Sequence, residues 1–198
     1  SFPGYKGMEM HVTEFNTSYT PRNPIHDTNL NAAYIARLLS EMGDTCASYS
    51  YWTFGDIFEE MGVAFTPFSG CFGLLANGLI PKPTFWAFEF FKRLQGEGVI
   101  RNSNVILTRD KDNSYRGIAW NPVEDFYMEN DISINLSLPA SEDEYVLISR
   151  LVDEKCCNPL KNWIDLGMPA NPSKEQIDII RSCSYPKTET KRLQPEGD

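Results

Sequence analysis

The segment from Thr84 to Leu94, introduced by Pro81 and Pro83, constrains this chain most. Phe85, Trp86, Ala87, Phe88, Phe90, Phe91 and Leu94 line most of the circumference of a helix there. A helix that is apolar on so much of its surface must be covered on two sides. Upstream, Met8 to Asn16 (MEMHVTEFN) and Ala47 to Phe54 (ASYSYWTF) read as strands. Between them runs a polar loop, Thr17 to Pro24, and then an amphipathic helix. Asp27 or Thr28 supplies its N-cap; Leu30, Ile35, Tyr34, Leu38, Leu39 and Met42 form its apolar face; Gly43 stops it. The order strand, helix, strand, helix is that of a parallel α/β sheet or barrel. Two strands cannot close a barrel by themselves.

Beyond Gly96 to Gly98 the pattern changes. Val105 to Arg109 and Tyr115 to Trp120 flank the turn-rich DKDNS, which predicts a hairpin. Ile132, Ile134, Leu136 and Leu138 alternate with Ser133, Asn135 and Ser137, the pattern of a half-buried strand, and Tyr145 to Val152 reads as a further strand. This half is mainly antiparallel β. Helical signals return between Asn158 and Cys183, where Ser173 and Gln176 form a capping box ahead of Ile177, Ile179 and Ile180. The opening SFPGYKG and the closing PEGD belong to no element, so the fold is expected to be truncated at both ends.

Composition excludes several classes. Hydrophobic residues make up 41% and aromatics 13%, which places the chain well outside the disordered regime. Acidic residues outnumber basic ones by 27 to 18, a net charge of −9, and no basic stripe appears. Nucleic acid is therefore not an expected partner. No apolar run approaches the roughly 20 residues of a membrane span. Cys46, Cys71, Cys156, Cys157 and Cys183 are odd in number and lack metal-knuckle spacing, so free thiols in a reducing compartment, the cytoplasm, are expected, with no metal. The sequons at Asn16 and Asn135 are read as chance matches, because a glycan beside Glu14 would block the site described next.

That site is the strand of Met8 to Asn16. With period two, Met8, Met10, Val12 and Glu14 fall on one face, so a carboxylate ends a row of apolar neighbours. A buried strand ending in Glu has the form of a catalytic strand end. The plainer alternative is a solvated Glu where a strand gives way to a loop.

Several motifs together favour the first reading. HVTEFNTSY from His11, HDT from His26, SYWTFGDIFEE from Ser50, FGLLANGLIPKPTFWAF from Phe72, LVDEKCCNPLKNWIDLG from Leu151 and PSKEQ from Pro172 resemble the β-xylosidases of glycoside hydrolase family 39. The likeness covers nearly the whole chain. It implies the C-terminal part of a (β/α)8 TIM barrel over residues 1–96, followed by an antiparallel β-sandwich over 97–198. The sandwich carries a helical insertion at about 158–183 and is incomplete at its C-terminus.

The resemblance implies a retaining β-xylosidase acting on xylo-oligosaccharides or another β-glycoside, without cofactor. Glu14 matches the nucleophile. Trp52 would offer an aromatic face to the sugar, the alternative being a Trp packed in the barrel core. Glu59 and Glu60 match an acidic pair that accepts hydrogen bonds from sugar hydroxyls, the alternative being solvated loop charges. His11 and His26 are read as packing or loop-anchoring residues, and Asp153 with Glu154 as a solvated turn. Cys71 departs from the family pattern, which carries a second glycine before Phe72, and this puts the backbone of that loop in question. The family's acid/base is a Glu preceded by Asn, and no Asn-Glu dipeptide occurs here. The 198-residue chain alone is therefore expected to be inactive, a piece of a larger enzyme. Apolar barrel faces left uncovered would favour a homo-oligomer or association with the missing barrel half. A second class stays open: a non-catalytic carbohydrate-binding or interaction module.

Overall fold

The computed structural model describes residues 4, 7–43, 45–57, 61–123, 131–139 and 144–193. Strand β1 (His11–Phe15) is followed by a 3-10 turn (Pro24–Asp27), α1 (Asn29–Met42) and β2 (Ser48–Tyr51). β1 and β2 pair in parallel, as a strand, helix, strand unit requires. The N-terminal stop and start signals act locally: Asn23 caps the 3-10 turn by accepting from Ile25 N–H (3.1 Å), and α1 ends at Gly43. A short hairpin, β3 (Leu75–Ala76) and β4 (Ile80–Pro81), leads into α2 (Pro83–Arg93). Pro83 opens α2 because its fixed φ suits the first turn and its missing N–H would be unpaired there anyway. α2 packs along α1, and at its other side Trp86 donates its indole N–H to the Ser184 carbonyl (2.6 Å). The apolar helix is thus held between two partners, as its sequence demands.

The second half holds an antiparallel sheet of β5 (Glu97–Arg101), β6 (Val105–Arg109) and β7 (Tyr115–Ala119), and a separate pair of β8 (Tyr145–Leu151) with β9 (Lys187–Leu193). The expected 105–120 hairpin forms in full register. Between β8 and β9 lie α3 (Pro159–Asp165) and α4 (Lys174–Ser182), and the capping box is present with both Ser173 and Gln176 bonds made. Phe68, Ala76, Ile80, Trp163 and Ile180 form one buried cluster, with Leu160 and Ile177 against it. That cluster fastens α3 and α4 onto the β3–β4 hairpin.

Three expectations change. Residues 131–139 carry no strand, and Ile132, Ile134 and Leu136 are exposed. Alternation marks a face to bury, but a strand also needs a hydrogen-bonding neighbour, and among the described residues none pairs with it. β9 forms where the sequence KTETKRL offers no apolar alternation, because β8 supplies its ladder residue by residue from Tyr145↔Leu193 to Leu151↔Lys187. β2 is shorter than the expected Ala47–Phe54. Among the described residues there is no closed barrel: the molecule is a mixed α/β fold with a two-stranded parallel sheet and three antiparallel ones.

Candidate active site

The C-terminal ends of β1 and β2 lie side by side. Val12 pairs with Tyr49 but Phe15 pairs with Tyr51, so β1 spends one more residue than β2 over that interval, and Glu14 sits inside the irregularity. Such bulges re-aim side chains at sheet ends. They also break strict alternation, which corrects the expected single face. Val12 is half-buried, Glu14 is exposed, and Met8 and Met10 precede the strand at 69% and 54% exposure. Glu14 is thus not the end of a buried apolar row. It is an exposed carboxylate one residue before the strand's end.

Trp52 follows β2 directly, half-buried, its N–H donating to the Phe15 carbonyl (3.0 Å). Glu14 and Trp52 therefore reach the same edge of the sheet. The Trp52–Thr53 peptide is cis. Glu59 and Glu60 lie outside the described residues. His11 is exposed and bonds Ser48 Oγ (2.8 Å), a cross-strand contact. Asp153 accepts backbone N–H bonds from Lys155 and Cys156, which makes it the pivot of a turn.

Polar side chains beneath this edge join the elements. Asn16 donates Nδ2 to the carbonyls of Trp52 and Phe72, the latter at 3.3 Å. Tyr51 donates its hydroxyl to Asn16 Oδ1 (3.3 Å), and Asn31, wholly buried on α1, accepts from Thr17 Oγ1 and donates to Thr84 Oγ1 (2.8 Å) on α2. Strand ends and both helices are thereby locked at one level.

Deeper still is a charged group that the sequence reading passed over. Lys82 is 0% exposed, with Nζ 2.6 Å from Asp27 Oδ1, 2.8 Å from Asp56 Oδ2 and 2.8 Å from the Cys71 carbonyl. Asp27 Oδ2 accepts from Gly70 N–H (2.6 Å) and Asp56 Oδ1 from Gly73 N–H (2.7 Å). Burial alone would lower the Lys82 pKa, but Asp27 and Asp56 more than offset it and the net direction is up. Burial pushes Asp56 up to about 6 against the pull of Lys82. Burial likewise holds His26 below the ordinary imidazole value, and this neutral ring donates Nδ1–H to the Gly70 carbonyl (2.7 Å), the loop-anchoring part expected of it.

Two of the glycines in this loop are sterically required. Gly70 has φ +70°, and a Cβ there would meet the backbone of Arg22 and Asn23 at 2.6 Å. One at Gly73 would lie 2.5 Å from the Gly55 carbonyl carbon. Cys71 needs neither exemption, since its φ is not positive and its side chain is buried beside Ser69 Oγ (3.7 Å). One signal in the sequence pointed to Lys82. A cation immediately before a Pro-led helix faces the positive end of the helix dipole and needs acidic partners from elsewhere in the fold. Among the described residues no group of three or more His, Cys, Asp or Glu has metal-site geometry.

The family model described as glycosyl hydrolases family 39 matches residues 1–198. A β-xylosidase of Geobacillus stearothermophilus is 44% identical over 186 residues, covering 93% of this chain and 37% of that protein. A β-xylosidase of Caldicellulosiruptor saccharolyticus is 34% identical over 194 residues, covering 92% and 39%. Among solved structures, a GH39 β-xylosidase from Caulobacter crescentus superposes with a TM-score of 0.78 at 27% identity, over 96% of this chain and 42% of that one. The GH39 enzyme from Xanthomonas axonopodis pv. citri gives 0.77 at 26% identity, over 97% and 41%. The chain spans about two fifths of the length of these relatives.

Proposed function

This chain belongs to glycosyl hydrolases family 39, and on that premise we propose that it forms part of a retaining β-xylosidase in which Glu14 is the nucleophile. Residues 1–96 are the C-terminal portion of a (β/α)8 barrel and 97–198 a β-sandwich domain with the α3–α4 insertion. In such barrels the chemistry sits at the C-terminal strand ends. The observation that carries the reading is the shared edge of β1 and β2, with Glu14 at one strand end and Trp52 at the other.

In the first step a Glu14 oxygen attacks the anomeric carbon while the bond to the leaving oxygen breaks. A carboxylic acid about 5 to 5.5 Å away protonates that oxygen. Water then attacks the glycosyl ester, and Glu14 departs as carboxylate. Trp52 presents its face to the xylose ring, and one of Glu59 and Glu60 accepts hydrogen bonds from its hydroxyls. The acid is a Glu preceded by Asn, a dipeptide absent from these 198 residues, so the chain alone is proposed to be inactive.

The test is Glu14→Gly in the full-length protein assayed on nitrophenyl xyloside. Activity should fall by roughly 10³-fold or more, equivalent to about 4 kcal/mol of barrier, and added azide should restore part of it by attacking the anomeric carbon in place of the missing carboxylate, displacing nitrophenolate and leaving an α-xylosyl azide of inverted configuration. Undiminished hydrolysis after the substitution would overturn the nucleophile assignment, and a parent protein that hydrolyses no xyloside would favour a carbohydrate-binding module.

A further inference from the structure

The cluster of Asp27, Lys82 and Asp56 is unusual in where its bonds go. Buried ion pairs are weak sources of stability, because desolvation cancels much of the attraction. Two carboxylates on one ammonium cancel even less favourably. Yet all three side chains send their bonds to the four-residue loop Gly70 to Gly73. Asp27 takes the Gly70 N–H, Lys82 the Cys71 carbonyl and Asp56 the Gly73 N–H, while His26 adds the Gly70 carbonyl. The remaining residue, Phe72, turns its carbonyl to the site, where it accepts from Thr53 N–H (3.1 Å) and from Asn16 Nδ2. Leu74 N–H then returns a bond to the Thr53 carbonyl (3.0 Å). Thr53 is joined to Trp52, and Asn16 holds the Trp52 carbonyl. An unbroken series of bonds therefore runs from the buried charges to the backbone on which Trp52 is mounted.

We propose that the Asp27–Lys82–Asp56 cluster is a positioning device for sugar binding: it fixes the Gly70–Gly73 loop so that the Phe72 carbonyl sets the orientation of Trp52. The three residues touch no substrate and act through Trp52. This rests on the reading of Trp52 as the sugar-facing ring.

The test uses the full-length protein, with Trp52→Ala, Lys82→Met and the double variant, each shown by circular dichroism to keep the parent fold. For nitrophenyl xyloside, Trp52→Ala should raise KM about tenfold, the signature of lost uniform binding. Lys82→Met should raise KM by roughly fivefold with kcat within about twofold. The double variant should be no worse than Trp52→Ala, since residues acting through one contact are not additive. If Lys82→Met does not fold, Asp56→Asn carries the same comparison with an expected KM rise of about threefold. KM unchanged in a folded cluster variant, or losses that multiply in the double variant, would overturn the proposal while leaving Trp52 in its part. KM unchanged in Trp52→Ala would remove the sugar-facing reading itself, and the proposal with it.

Discussion

Lys82 stands where a helix least tolerates a cation, at the N-cap of α2, and it is stable there because Asp27 and Asp56 surround it. Desolvation dominates Asp56, whose carboxyl titrates at about 6 in the fold against an ordinary value of 3.8. A raised folded pKa means the native state binds the proton more tightly than the unfolded chain. The contribution is thus fully favourable below about pH 3.8 and is lost as pH rises through 6. Relative to Asp56→Asn, the parent protein should lose stability across that window, by at most about 3 kcal/mol. Thermal midpoints of both proteins between pH 3.5 and 7 would read this as a narrowing or reversal of their difference; parallel curves would contradict it. Gly73 is a second residue whose need is geometric. Gly73→Ala forces its Cβ into the Gly55 and Asp56 backbone, and a cost of about 1–3 kcal/mol is expected in denaturant unfolding.

At the scale of elements, α4 shows how a helix holds a distant loop. Its capping box sets the first turn, and Ile180, fully buried, meets Phe68 and Trp163 beneath the β3–β4 hairpin. Arg181 adds a bond to the Gly78 carbonyl in the hairpin turn. Ile180→Ala removes the methyl groups at the centre of this cluster. A loss of about 2–5 kcal/mol is expected, read as a lower thermal midpoint and faster proteolysis within 159–182. Ser173→Ala, which removes only the cap, should cost about 1 kcal/mol. The two losses should appear in that order.

At the scale of the molecule, the parallel sheet has two strands among the described residues, and large apolar side chains such as Tyr19, Phe54 and Phe65 are exposed at 94%, 67% and 87%. Parallel sheets are ordinarily covered on both faces, so a sheet this small is expected to leave apolar surface for other polypeptide to cover. A polypeptide of these 198 residues made alone should bind a hydrophobic dye, sediment as more than a monomer, and leave nitrophenyl xyloside unhydrolysed. Turnover near the rate of full-length relatives would defeat the assignment of the acid/base to residues beyond this stretch.

The sequence by itself determined the elements whose signals are local. The two-sided apolar helix near Thr84, the amphipathic helix ending at Gly43, the 105–120 hairpin and the Ser173 cap all follow from period, capping and turn chemistry within a few residues. The family motifs followed too, since they lie in the linear order of residues. Tertiary structure decided whatever needed a distant partner. β9 exists because β8 offers a ladder, whereas among the described residues no neighbour pairs with the 132–138 alternation. The irregularity that sets Glu14 apart from Val12 arises only when β1 meets β2. Asp27 read as a candidate helix cap, and only the fold buries it with Lys82 and Asp56 in one charged cluster. Periodicity records which face a segment must hide, whereas register and buried charge depend on what that face finds.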